Sequence, residues 1–356
     1  MKLFIPGPVT VRQDVLNEMA KQIIGHRTAD ASKLQKNITE KMKKIFGTEN
    51  QVLLSTSSGS GLMEGAIRSC TLKRAACFAI GDFGEKWYKM AINNNTPADL
   101  FKSELGDITT PEQVDEVLKT GKYDLITVTG NETTTGIANP IKEIGEIVKK
   151  YYDVIFCVDY VSSAGGVKID ADDFGVDIAI TSSQKSLGLP PGLAFCTFSP
   201  KAENRAKKVE NRGSYFDLLN LKSFIDKKDN QYPTTPALSL MYAANFQLDY
   251  ILNEQTLEKR IQSHKNMADL VRAWAKKHFD LFAKEEKYAS NTVTCIKNTK
   301  NIDVANLIKE LKKQDILLGN GYGDLKDKTF RIAHMADFNI DDMQDLLNKI
   351  DNILGF

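Results

Sequence analysis

The chain has no apolar run long enough to cross a bilayer as a helix and no block of like charge. The first absence excludes a helical membrane span. The second, with 47 basic against 46 acidic residues, argues against nucleic acid or an anionic membrane as the main partner and leaves a small molecule. Histidine is scarce, and His26, His264, His278 and His334 stand at no metal-ligand spacing, so no metal site is expected. Cysteine is also sparse. Cys70, Cys77, Cys157, Cys196 and Cys295 form no CxxC pair, lie mostly in apolar runs, and read as buried thiols of a reducing compartment. The opening MKLFIPGPV holds an apolar run of only three residues, Leu3–Ile5, too short for a signal peptide, so a cytoplasmic protein is expected. No internal repeat or low-complexity segment is present.

What is there is ordinary globular material: 42% apolar and 26% charged residues, enough for a sizeable core. A chain of 356 residues exceeds what one core usually supports, so a large and a small domain are expected. The pattern divides into an arm and first helix over 1–20, a large domain over 21–255 and a small αβ domain over 256–356. Within the large domain, apolar strand-like runs alternate with helical periodicity from Gln51 to Phe198. Such alternation predicts an α/β domain with a mainly parallel sheet, which binds ligands at the carboxyl ends of its strands.

One stretch organises the rest, DIAITSSQKSLGLPPGLAFCTF at 177–198, where Lys185 sits on a turn between two apolar strands. Burial there would lower the pKa of the amine and make it nucleophilic; an exposed turn lysine is the competing reading. Other chemistry-bearing residues fall on neighbouring strand ends. STSSGSG at 55–61 joins a strand to a helix without slack and presents backbone N–H groups and hydroxyls suited to a phosphate. Phe83 follows one strand, Thr133 in GNETTTG another, and Asp159 closes the run VIFCV. Singly they read as a core ring, turn chemistry and a cap. Arg331 interrupts the apolar strand TFRIAHM, and a structural salt bridge and a carboxylate-binding fork compete there. Gly25 and Arg27, in IIGHRTADAS, lie on an ordinary loop or on a site loop bearing positive charge.

With PGPV at 6–9, SGSG at 58–61, NETTTG at 131–136, VDYVSSAGG at 158–166, SSQK at 182–185, PTTP at 233–236 and FRIAHM at 330–335 in this order, the chain resembles the class V aminotransferases. These are fold-type I enzymes of pyridoxal 5'-phosphate (PLP), and the likeness is to the alanine–glyoxylate, serine–pyruvate and serine–glyoxylate group. The separation of 26 residues between Asp159 and Lys185 also fits. The resemblance implies a large domain with a mainly parallel seven-stranded sheet, a smaller C-terminal αβ domain, and a homodimer with shared sites. By position it implies that Lys185 forms the internal Schiff base with PLP and Asp159 pairs with the pyridine nitrogen. Ser60, Gly61, Leu62 and Gln184 contact the phosphate, Phe83 stacks on the ring, and Thr133 lies near its oxygen edge. Arg331 holds the substrate carboxylate, while Tyr232 and Thr234 act across the dimer interface. Members of the group often carry Trp where Phe83 stands, and some carry His in place of Leu62, which can give only its backbone N–H.

The implied reaction is ping-pong transfer of an amino group from a small amino acid, of alanine or serine type, to a 2-oxo acid such as glyoxylate or pyruvate. Three alternatives stand beside it. Arg27 as an additional cation would favour 2-aminoethylphosphonate–pyruvate transamination. A cysteine desulfurase-like lyase would need a mobile catalytic Cys, and typically has His where Gln184 stands. A non-catalytic PLP- or nucleotide-binding α/β protein is the third.

Overall fold

The computed structural model describes all 356 residues. Its centre is a seven-stranded sheet in the order Gln51–Ser55, Ala194–Phe198, Ile178–Ser182, Ile155–Asp159, Leu125–Thr129, Ala75–Ala79, Ala98–Lys102. Only Ala194–Phe198 runs antiparallel to its neighbours. The other pairs are parallel. Every residue of the five inner strands is buried, which explains sequence runs that are apolar throughout rather than alternating. The mainly parallel α/β sheet predicted above is the one observed.

A second sheet, in the order Lys2–Phe4, Ile316–Asn320, Thr329–Ala333, Val293–Lys297, Asp280–Leu281, is covered by the helices Leu257–His278, Val304–Lys312 and Ile340–Leu354. Those helices contribute Val271, Leu307 and Ile350 to a core separate from that of the main sheet. The N-terminal arm belongs here: Leu3 pairs with Leu317, and Phe4 is buried among the same apolar residues. No helix is long and apolar enough to cross a membrane.

Some boundaries differ from the sequence pattern. Helical periodicity in the sequence starts only at Leu62 and runs to Cys70, whereas the helix begins at Gly59, since its first turn is glycine and serine, which carry no such periodicity. The helical region from Ala237 to His278 is broken by a π turn at Tyr250–Glu254, and Leu257–His278 restarts from Thr256 at φ +64°. Just past this break Arg260 is fully buried, ion-paired with Asp337 at 2.7 Å and donating to Ser186 O at 2.7 Å. Helical patterns at Val11–Lys21 and Ser214–Lys227 give the shorter helices Gln13–Glu18 and Leu218–Lys227, the latter capped by Asp217 accepting from Leu219 N.

Candidate active site

Asp159 is the last residue of its strand, in register with Thr129 on one side and Ile180 on the other, so it stands at the carboxyl edge of the sheet. It is 4% exposed. Oδ1 accepts from Val161 N at 2.7 Å, and the other oxygen has no partner within the chain. Burial pushes its pKa up to about 6, against the pull of that N–H and the charges of Lys185 and Lys86.

The next strand ends at Ser182 and leads into the turn that carries Lys185. That turn is pinned from several sides: Ser183 Oγ donates to Pro190 O, Ser186 Oγ to Ser162 O, and Arg260 holds Ser186 O. Lys185 is half-buried, and its ammonium donates to the carbonyl of Pro6. Gly7, at φ +93°, packs on the same side chain, where a Cβ would stand 2.5 Å from Lys185 Cδ. Burial brings the lysine down to about 8; Asp159 opposes the shift, and Arg331 and Lys86 reinforce it. The desolvated-amine reading therefore describes this lysine, not that of a solvated turn residue.

The helix Gly59–Cys70 points its N-terminus at this edge. Its cap residue Ser58 makes no side-chain cap, and the N–H groups of Gly59 and Ser60 have no partner within the chain. The N–H of Gly61 is engaged by Ser58 O at 2.9 Å, so that expected donor is already occupied. The Leu62 side chain is wholly in the core. Glycine at 59 fits a close approach, since a Cβ there would lie 2.5 Å from Val161 Cγ2. Ser182 Oγ and Gln184 Oε1 are buried without a hydrogen bond, two polar atoms that call for a ligand.

Phe83 lies in the first turn of the helix Asp82–Asn93, with Lys185 Nζ 6.0 Å and Lys86 Nζ 5.1 Å from its ring centre. Thr133 is in the hairpin formed by Asn131–Glu132 and Ile137–Ala138, and its carbonyl accepts from Arg331 Nη1 at 3.1 Å. Arg331 is 8% exposed, and its Nε donates to Asn320 O at 2.9 Å. It forms no salt bridge with any carboxylate of the chain, and Nη2 has no partner. Of the two readings of Arg331, the structural salt bridge lacks its acid, and two main-chain carbonyls hold the guanidinium instead. Tyr322 stands beside it, its ring centre 5.7 Å from the guanidinium carbon and 6.0 Å from the Phe83 ring.

Gly25 and Arg27 are exposed, and Arg27 is committed to the carbonyls of Tyr232 and Pro233, so it is not a spare cation beside Arg331. Tyr232 is 3% exposed, and its hydroxyl accepts at 3.1 Å from the N–H of Thr56, in the turn that leads into the helix Gly59–Cys70. Thr234 is exposed. Sequence reasoning missed Pro6, Gly7, Lys86, Glu132 and Tyr322. The signals were slight: Glu132 lies next to Thr133 in NETTTG, and Lys86 follows Phe83 by one helical turn.

The family model for aminotransferase class-V matches residues 9–323. An uncharacterized aminotransferase of Methanocaldococcus jannaschii is 42% identical over 342 residues, spanning 94% of this chain and 87% of that protein. The serine–glyoxylate aminotransferase of Methylorubrum extorquens is 33% identical over 357 residues, spanning 95% and 87% respectively. Among solved structures, alanine–glyoxylate aminotransferase from Nostoc sp. superposes with a TM-score of 0.92 at 24% identity, over 99% of this chain and 94% of that one. A lysine and a carboxylate on adjacent strand ends thus occur in a chain that matches one family along most of its length, and the protein belongs to the class-V aminotransferases.

Proposed function

We propose that the protein is a PLP-dependent transaminase that takes the amino group of a small amino acid, of alanine or serine type, and delivers it to a small 2-oxo acid such as glyoxylate or pyruvate. The observation that carries this reading is the pairing of Lys185 and Asp159, both desolvated and both displaced from their ordinary pKa values, at neighbouring strand ends.

The residues present fit the cofactor. The unpartnered oxygen of Asp159 suits a protonated ring nitrogen, and the free N–H groups of Gly59 and Ser60 with Ser182 Oγ suit a phosphate. Bound PLP would supply an electron sink next to the amino carbon. Lys185, as a free amine, would take the proton from the donor's Cα and return one later in the transfer. The open fork of Arg331 would hold the α-carboxylate of donor and acceptor alike, which suits alternating use of one site. Phe83 would give the ring an apolar face.

The working unit in this reading is a homodimer, with the exposed Thr234 facing the second copy's site. Five free, buried cysteines fit a reducing cytoplasm. They also weigh against a desulfurase-like lyase: Cys295, across the sheet from Arg331, is 3% exposed, and burial pushes its thiol up to about 12.

The test is spectroscopic. Protein loaded with PLP should absorb near the visible, lose that band on addition of alanine or serine, and regain it with glyoxylate or pyruvate. Lys185→Ala should lose the band and the turnover while melting normally. Substantial amino transfer by Lys185→Ala would overturn the assignment.

A further inference from the structure

Glu132 is fully buried and has no cation at ion-pairing distance. Its carboxylate instead collects three backbone donors from two segments: Oε2 accepts from Phe83 N at 3.0 Å and Gly84 N at 3.2 Å, and Oε1 accepts from Thr134 N at 2.9 Å. Phe83 and Gly84 are the second and third residues of the helix Asp82–Asn93, whose own cap residue, Gly81, offers no side chain. Glu132 thus supplies from a different strand what a cap residue would supply locally. Gly81 permits this approach, since a Cβ there would lie 2.6 Å from Glu132 Cδ.

Only a carboxylate satisfies this arrangement, because both of its oxygens are acceptors and neither is a donor. An amide in its place would turn an NH₂ towards a backbone N–H. Burying an unpaired carboxylate is costly, and three N–H groups offset that cost only in part. Burial accordingly pushes the group up to about 7. A titratable group held where an apolar residue would be easier to bury calls for an explanation beyond packing.

The contacts around it close a ring. Glu132 holds Phe83; the Phe83 ring meets Tyr322; Tyr322 lies against the Arg331 guanidinium; Arg331 Nη1 donates to Thr133 O; and Thr133 is the residue next to Glu132. Thr135 Oγ1 donates to Ile80 O, a second tie between the hairpin and the strand end that precedes Phe83. The ring joins an element of the main sheet's layer to the second sheet through one buried carboxylate.

We propose that Glu132 is a positioning residue that sets the aromatic platform at Phe83 and the carboxylate fork at Arg331 as a single unit. The inference rests on the transaminase reading, in which those two residues face cofactor and substrate. It makes a claim that the reading does not: binding of PLP and binding of the amino acid share one support, and loss of that support weakens both.

The experiment uses the full chain. The Kd for PLP is measured on the apo protein by fluorescence quenching, and the Kd for the amino donor by spectral titration of the loaded protein. Glu132→Gln should weaken both by about tenfold, the size expected when one buried acceptor is turned into a donor. In double-mutant cycles the effect on PLP should shrink to about twofold when Phe83 is already Leu. The effect on the amino acid should shrink likewise when Arg331 is already Lys. Should Glu132→Gln not fold, Gly81→Ala displaces the same carboxylate without removing it, and the same coupling is expected. A lowered Tm with both Kd values unchanged would make Glu132 a structural anchor and overturn the proposal. So would full additivity with Phe83→Leu and Arg331→Lys. If instead the wild-type chain fails to bind PLP, it is the transaminase reading that falls.

Discussion

The ammonium of Lys185 donates to the main-chain carbonyl of Pro6, a residue 179 positions earlier. The arm that supplies this carbonyl is anchored on the second sheet by Lys2–Phe4, so the lysine of the main sheet is held by a segment fastened elsewhere. This contact helps define the environment in which the amine titrates.

Because the lysine titrates near 8 rather than at its ordinary 10.5, the fraction present as free amine rises about tenfold for each pH unit below 8 and levels off above it. Capture of a small aldehyde, trapped with borohydride and read by mass spectrometry, should follow that curve at Lys185. The folded pKa is depressed, so the unfolded chain binds more protons between pH 8 and 10.5. The contribution of this group to stability therefore rises across that window. A capture rate still climbing at pH 10 would mean that the amine is solvated.

Asp159 has the opposite displacement, from an ordinary 3.8 to about 6, which corresponds to roughly 3 kcal/mol against the ionised form in the folded chain. That stability term is present below pH 3.8 and lost as pH rises through 6, so the apo protein carries the full penalty at pH 7.5. Asp159→Asn should raise the Tm of the apo protein at pH 7.5, and the gain should fade towards pH 4. Transamination should fall on the order of 10²-fold, as the preorganised charge is lost. Equal Tm values at both pH values would show that the carboxylate is not desolvated.

Arg331→Lys keeps the charge but loses the planar fork. Amino-acid and 2-oxo-acid affinities should drop together by roughly tenfold to a hundredfold. The side chain also loses one or both of its bonds to Asn320 O and Thr133 O, at a cost of about 1–2 kcal/mol. That is well short of the 3–5 kcal/mol typical of a broken buried ion pair. Thermal unfolding alongside substrate titration checks both numbers, and a large loss of stability with unchanged affinities would return Arg331 to a structural role.

Asp159 and Lys185 were legible because each ends or follows an apolar run, and the parallel sheet was legible because its strands are apolar on both faces. Arg331 was legible as an anomaly within a strand, although its meaning depended on whether an acid stood opposite. Contacts between distant segments were not legible. Nothing local marks Pro6 as the cover of Lys185, or Glu132 as the cap of a helix that begins at Asp82. The direction of a side chain was not legible either: Tyr232 turns to Thr56 of its own chain, which its position before PTTP does not reveal.

The pairing of Lys2–Phe4 with Ile316–Asn320 also has a consequence for biosynthesis. At 5–20 residues per second, Lys2–Phe4 waits on the order of half a minute for its partner to be made. Until then Pro6 and Gly7 have no anchored strand to hold them over the lysine. The main sheet can assemble during synthesis, but Lys185 acquires its cover only once Ile316–Asn320 has been made.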